Sequence, residues 1–242
     1  KVVAYARDRL ENEAAPLRSL SQRAIHCVVS VGKVSDELRK VTSEKGADLL
    51  VVGSPGHASS ALIRLAGVSD RLATSVGVPL LVIRSPEPFM GWNATSPLRA
   101  LVAIDEHHSS TPVLRWIERL RASQPVDVIV GQVYYPDEAR RRFHWQKPLS
   151  YTEIDPDLET KIESELRRLV PTLAGRGTLS YRTKLGVGRI ADHLLELAEA
   201  EGCHLVVERS DGHKGLARLW SVSAATVHIA RMATAVIPSG ES

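Results

Sequence analysis

The chain repeats itself on the scale of a whole domain. Val31-Gly32-Lys33-Val34-Ser35-Asp36-Glu37-Leu38 recurs 156 residues later as Val187-Gly188-Arg189-Ile190-Ala191-Asp192-His193-Leu194. At the same offset Gly46 meets Gly202, Ser54 meets Ser210, and Gly56-His57 meets Gly212-His213. A two-residue deletion then shifts the offset to 154. Arg64-Leu65-Ala66-Gly67-Val68-Ser69 meets Arg218-Leu219-Trp220-Ser221-Val222-Ser223, and Val82-Ile83 meets Val236-Ile237. Chance similarity does not keep register from residue 31 to residue 83 with one small gap, so the chain is a tandem duplication. Its period is too long for a solenoid unit of roughly 20–50 residues. Each repeat is a domain.

The boundary lies in residues 85–97, which carry Pro86, Pro88 and Pro97 and no hydrophobic periodicity. This reads as a first domain over 1–85, a linker over 86–97 and a second domain over 98–242. Phe89 and Trp92 in the linker predict that it packs on something. The second repeat shows the complete element order. Leu98–Asp105 is a short apolar run suited to a buried strand. Val113, Trp116, Ile117 and Leu120 then recur at helical spacing, and Val126–Tyr135 is β-branched and aromatic. A helix follows over 157–173, a strand over 180–185, and a helix over 189–201 that stops at Gly202. A strand over 204–207, a helix over 223–232 and a strand over 234–237 complete it. Strands alternating with helices predict a parallel sheet covered on both faces. In the first repeat, helix 2–20, strand 24–29 and strand 48–52 have counterparts later in the chain. Nothing matches the first strand, first helix and second strand, so roughly 40–50 further residues are expected upstream by comparison of the repeats.

Composition narrows the class. Hydrophobic residues make up 43% of the 242 and charged residues 24%, which suits packed cores. A net charge of +3 argues against a nucleic-acid partner, despite the basic aromatic run Arg140-Arg141-Arg142-Phe143-His144-Trp145. That run reads as a mobile lid or partner-contact loop in the connection 136–156. Two cysteines build no disulfide framework. Cys27 and Cys203 read as buried small hydrophobes in a reducing cytoplasm, and no apolar run is long enough for a membrane helix. Asp105-Glu106-His107-His108 brings carboxylate and imidazole together. Without a partner motif at metal-ligand spacing it reads as a solvated loop, and no metal site is assigned.

The most informative chemistry is at Asp48–His57, a buried strand running into Gly53-Ser54-Pro55-Gly56, with Gly67-Val68-Ser69 at the approach to a helix. Glycines let the backbone come close to a phosphate, and free N–H groups at a helix start point toward it. A plain tight turn is the alternative for the same pattern. At these residues the chain resembles the universal stress protein family in its tandem form. That family's mark is Gly, two residues, Gly, nine residues, then Gly-Ser-Val-Ser and a helix. Gly53 and Gly56 match, while Ala66-Gly67 stand where Gly-Ser belongs. Leu101–Asp105 resembles the family's first strand, whose terminal Asp lies near adenine and ribose.

The resemblance implies two tandem Rossmann-like α/β domains of the adenine nucleotide alpha hydrolase type. Each is a mainly parallel five-stranded sheet with helices on both faces. It implies ATP or AMP as cofactor, with magnesium as its counter-ion. The binding candidates are Gly53, Ser54, Gly56, Gly67, Val68 and Ser69 in the first domain. In the second they are Asp105, Gly212, Ser221 and Val222, a weaker set because Arg209 replaces Gly53 and Trp220 replaces Ala66. It also implies an intramolecular pseudo-dimer in which 79–83 pairs with 233–237, and leaves a homo-dimer and an unidentified protein partner open. The reading is a regulatory module that binds an adenine nucleotide in at most one domain and acts through association. A nucleotide-free scaffold with degenerate clefts is the alternative. A slow ATPase is the third reading, but neither repeat offers a general base near the glycine loop, and no catalytic residue is assigned.

Overall fold

The computed structural model describes residues 2–53, 62–105, 108–210 and 222–239. Its elements run α1 (Val2–Leu20), α2 (Val34–Glu44), β1 (Leu50–Gly53), α3 (Leu62–Ala73), β2 (Leu80–Ile83) and α4 (Glu87–Met90). Then come β3 (Leu98–Ala103), α5 (Thr111–Ser123), β4 (Val126–Tyr134), α6 (Pro136–Phe143), α7 (Pro156–Leu169) and β5 (Leu179–Leu185). The chain continues with α8 (Ile190–Ala200), β6 (Leu205–Arg209), α9 (Val222–Ile229) and β7 (Ala233–Ile237).

The duplication is visible in the backbone. Helices α2 and α8 begin and end at the same 156-residue offset, and both stop on a glycine in the left-handed region, Gly46 at φ 58° and Gly202 at φ 63°. The next amide closes each end in the same way: Ala47 N donates to Thr42 O, and Cys203 N to Ala198 O. Only glycine adopts that φ without steric cost, so the signal survives divergence of everything around it.

All described strands join one seven-stranded sheet in the order β1-β2-β7-β6-β3-β4-β5. The second half supplies five parallel strands and the first half two. The halves meet where β2 and β7 pair antiparallel, Leu80 opposite Val236 and Val82 opposite Thr234. The expected strand at 24–29 is absent; those residues are irregular. They correspond to β5, whose hydrogen-bond partner is β4, and among the described residues the first half holds no counterpart of β4. A strand exists by its pairing, so a β-branched run without a neighbour stays irregular. Of the three strands expected in the first half, at 24–29, 48–52 and 79–83, the described residues form the last two.

Apart from the edge strand β5, where only Tyr181 and Thr183 are buried, the second-half strands are buried on both faces. Ala100, Val102, Val128, Val130, Leu205 and Val207 point into a core closed by α5 and α7. Their neighbours Leu101, Ile129 and Val206 point to the opposite core under α8. Helix α7 shows the local logic: the Asp155 carboxylate caps the amides of Asp157 and Leu158 at 3.0 and 3.2 Å, and Pro156 opens the first turn. Leu158, Ile162 and Leu166 then form a fully buried stripe. In the linker, Phe89 and Trp92 pack on the core, and the Trp92 indole donates to Pro125 O at 2.7 Å.

The connection 136–156, expected to be a loop throughout, is helical in its first part and irregular over 144–155. Residues 136–143 form α6, where Ala139 and Phe143, one helical turn apart, are buried against Leu158 and Ile162. Arg142 pairs with Glu165, and the Arg142 and Lys161 cations lie over the Phe143 ring. Replacing Phe143 by serine should release α6 and raise the rate of tryptic cleavage at Arg140–Arg142 about tenfold. An unchanged cleavage rate would show that α6 is held by something other than this ring.

Helices α3 and α9 cross between the halves. Leu72, Leu80 and Val82 share a core with Val227 and Val236, and His228 Nδ1 lies 3.1 Å from Asp70 Oδ2. Buried Arg84 donates to Val227 O, and Ser210 Oγ to Ala73 O. Burial pushes the Asp70 carboxyl above its ordinary range, and the opposing pull of His228, Arg84 and Arg71 does not cancel it. A carboxyl raised on folding stabilises most below its unfolded pKa of about 4 and loses that contribution as pH rises through the higher folded value. Stability measured across this window should therefore fall relative to Asp70→Asn as pH increases. Parallel curves would put the burial cost elsewhere.

Of the two cysteines, Cys203 is buried and its thiol is pushed up to about 12 by burial. Cys27 is only half-buried, beside Arg18 and Leu10 O, in place of the core position expected for it. Among the described residues no helix is long and apolar enough to cross a membrane.

Candidate functional site

In a doubly wound sheet the loops at the carboxyl ends of the strands leave a crevice where the chain changes direction. Such a crevice, about 230 Å³, lies at the ends of β3, β4 and β6. Ile104 and Val113 form one apolar wall, and Ile190, Leu194 and Val222 the other. Val113, Ile190 and Val222 reach it because the first turn of α5, α8 or α9 starts at this end of the sheet, while Ile104 directly follows β3 and Leu194 lies one turn into α8. The polar lining includes Asp105 just past β3, His108, Ser109 and Ser110 before α5, Gln132 and Tyr135 from β4 and its exit, Glu138 from α6, and Glu208-Arg209 at the end of β6.

Several of these groups are held in place. The Asp105 carboxylate contacts His108 Nδ1, on the turn that leads into α5. The Tyr135 hydroxyl donates to Gly188 O at 2.7 Å, tying the exit of β4 to the loop before α8. Burial, reinforced by the Glu138 charge, raises the Tyr135 phenol, so it stays a donor at neutral pH. Glu208 is 4% exposed, and its Oε2 lies 3.3 Å from Thr226 Oγ1 in α9. Apolar walls with a few converging polar groups suit a flat organic ligand. Asp105 at the rim can accept from ribose-type hydroxyls.

The predicted residues fall into separate places. Asp105 and Val222 line the same cleft, brought together from opposite ends of the second half. Gly53 sits at the exposed end of β1. Gly67, Val68 and Ser69 lie in the second turn of α3, not at its start, and Ser69 is 3% exposed. Past the first turn, backbone N–H groups are committed to the helix and are not offered to a phosphate. Ser54, Gly56, Gly212 and Ser221 lie outside the described residues, as do His57, His213, Glu106 and His107. The sequence reading missed Gln132, Tyr135, Glu138 and Glu208. No spacing signal joins them, although Glu208 could have been flagged as the acid that replaces Val52 in the repeat. No cluster of three or more metal-ligating side chains occurs among the described residues.

Comparison with solved structures agrees with this architecture. A universal stress protein from Archaeoglobus fulgidus DSM 4304 is 14% identical, covers 96% of this chain and 78% of its own, and superposes with a TM-score of 0.58. A protein of unknown function from Pseudomonas aeruginosa PAO1 is 13% identical, covers 96% of this chain and 77% of its own, with a TM-score of 0.56. A universal stress protein in complex with cAMP is 18% identical and covers 58% of this chain and 96% of its own, with a TM-score of 0.43. Among curated proteins none matches in sequence. The sequence pattern of the Universal stress protein family matches twice, over residues 2–84 and 98–238, which together take in nearly all of both repeats. This chain belongs to the universal stress protein family, with two family units in tandem.

Proposed function

We propose that the chain is a regulatory module that takes an adenine nucleotide, ATP or AMP, in the cleft of its second half. It then acts by association with a protein partner or a second copy of itself. The observation that carries this reading is the 230 Å³ cleft at the carboxyl ends of β3, β4 and β6, with Asp105 and Val222 on its walls. The base would lie between Ile104 and Val113 on one side and Val222 on the other, with Asp105 toward the ribose. A protein partner would read the loops around the cleft, which stand at one end of the sheet.

The nucleotide-free scaffold has one observation in its favour. Glu208, a buried carboxylate, stands at the end of β6 where the first repeat has Val52 at the end of β1. The two readings separate in one experiment. The purified chain is denatured and its released small molecules analysed, and the native chain is titrated calorimetrically with AMP and with magnesium ATP. Released adenine nucleotide, or saturable binding at one site per chain, is the expected result. No release, no heat and no thermal shift at millimolar ligand would leave the scaffold.

A further inference from the structure

We infer that His193 is a proton-operated latch on the loop 186–190, and that through this loop the second-half cleft senses pH. The coupling to the cleft rests on the reading of an adenine ligand there; the latch itself does not.

The loop 186–190 joins β5 to α8 and ends on Ile190, which lines the cleft. Two side chains fasten it. The Tyr135 hydroxyl donates to Gly188 O at 2.7 Å, and burial, which raises the phenol, keeps it a donor. From the other side His193, with its side chain 14% exposed near the start of α8, turns back onto Val187. Its Nε2 lies 2.8 Å from Val187 N and 2.7 Å from Val187 O. One ring nitrogen serves only one of these at a time. As a lone pair it accepts from the amide, and as an N–H it donates to the carbonyl. The other nitrogen decides which. Nδ1 is 3.1 Å from the Glu196 carboxylate, so it carries the proton in the neutral ring and leaves Nε2 as the acceptor. Protonation puts a hydrogen on Nε2. The Val187 amide then loses its acceptor and the carbonyl gains a donor. Gly188, at φ 99°, gives the backbone the freedom to follow.

The charges nearby are Glu196 on α8, Lys184 on β5, which lies 3.2 Å from Glu196, and the Arg189–Asp192 pair at the start of the helix; Tyr135 stands across the loop. His193 and Lys184 hold the Glu196 carboxyl below its ordinary range, so it stays charged over the interval in which an imidazole titrates. In the first repeat the same helix position holds Glu37, which accepts from Ser30 Oγ and packs against Gly32 before α2. Both repeats fasten this loop from one helix position, and only the second does so with a group that changes charge near neutral pH. Release of the Val187 amide loosens the loop that carries Ile190, so acid weakens ligand binding.

The test follows the Val187 amide of the full chain by NMR-detected hydrogen exchange between about pH 8 and about pH 5.5. Its protection, relative to the intrinsic exchange rate, should fall about tenfold toward the acid end. His193→Gln accepts the same amide and does not titrate, so its protection should hold within about twofold. Adenosine, which has no group titrating in this interval, should bind the wild-type chain about fivefold more weakly at the acid end and His193→Gln equally at both. Constant protection in the wild-type chain overturns the inference, and so does an equal fall in His193→Gln. Adenosine that binds equally at both ends while the amide responds overturns the coupling and leaves the latch. Adenosine that binds at neither end removes the site reading, and the amide alone then decides the latch. Should His193→Gln not fold, the wild-type curve decides: the fall must share its midpoint with the His193 ring protons, and any other midpoint overturns the inference.

Discussion

Replacing Arg121 by methionine is expected to lower unfolding stability by about 3–5 kcal/mol, the largest single loss anticipated in this fold. Arg121 is in the last turn of α5 and is 3% exposed. Its guanidinium donates to four main-chain carbonyls: Ala174 at 3.0 Å, Val126 at 2.6 Å, Thr178 at 2.9 Å and Gly177 at 2.9 Å. It thereby joins the end of α5 to the start of β4 and to the loop entering β5. Methionine fills the stem but takes the guanidinium donor from all four; Thr178 O keeps the Val128 amide at 3.0 Å, and a buried acceptor left unsatisfied costs about 1–3 kcal/mol. The backbone is moulded around this contact. Gly177 has φ 113°, and a Cβ there would lie 2.1 Å from Val126 O. Urea unfolding of Arg121→Met should show a lower midpoint with an unchanged slope. Arg121→Lys should recover little, because a single ammonium cannot reach four divergent carbonyls. A loss below about 1 kcal/mol would mean that the loop is held by other contacts.

Replacing Val222 by tryptophan is expected to abolish adenine-nucleotide binding, a loss of at least about a hundredfold. Val222 is half-buried at the start of α9 and faces the cleft, so an indole there takes the volume that the ligand needs. The change lies at a helix end, where α9 can accept a larger side chain with less strain than a sheet core can. The comparison that gives it force is Gly56→Trp. If nucleotide sat in the glycine loop of the first half, Gly56→Trp would abolish binding and Val222→Trp would not. The second-half site requires the reverse. Calorimetric titration of AMP into both variants decides between them.

Local signals account for what could be read directly. The duplication, α2 with α8 and Gly46 with Gly202 are legible because short-range chemistry builds them: a helical stripe and a left-handed glycine cap. Long-range pairing defeated the reading at 24–29, where Ile25 to Val29 has strand composition but no neighbouring strand to bond. Charge misled it at Arg140–Arg142. The spacing of Ala139 and Phe143 carried the helical signal, and their burial depends on Leu158 and Ile162 some twenty residues away. Arg121 is the sharpest case. In sequence it is one more arginine on an amphipathic helix, and only the fold surrounds it with carbonyls.

The candidate site divides along the same line. Asp105 was foreseeable, because a strand-end aspartate and its resemblance to the family are both written in consecutive residues. Gln132, Tyr135, Glu138 and Glu208 were not, because they come from β4, α6 and β6 and share a cleft only once the sheet has set its strand order. Repeats, periodicity and turn residues are interactions between near neighbours, so the amino-acid order alone specified two α/β units and their family. The position of the cleft, the carboxylate beside α9 and the embedded guanidinium depend on contacts between distant residues. Their energies come from burial, and burial exists only when the chain has closed on itself.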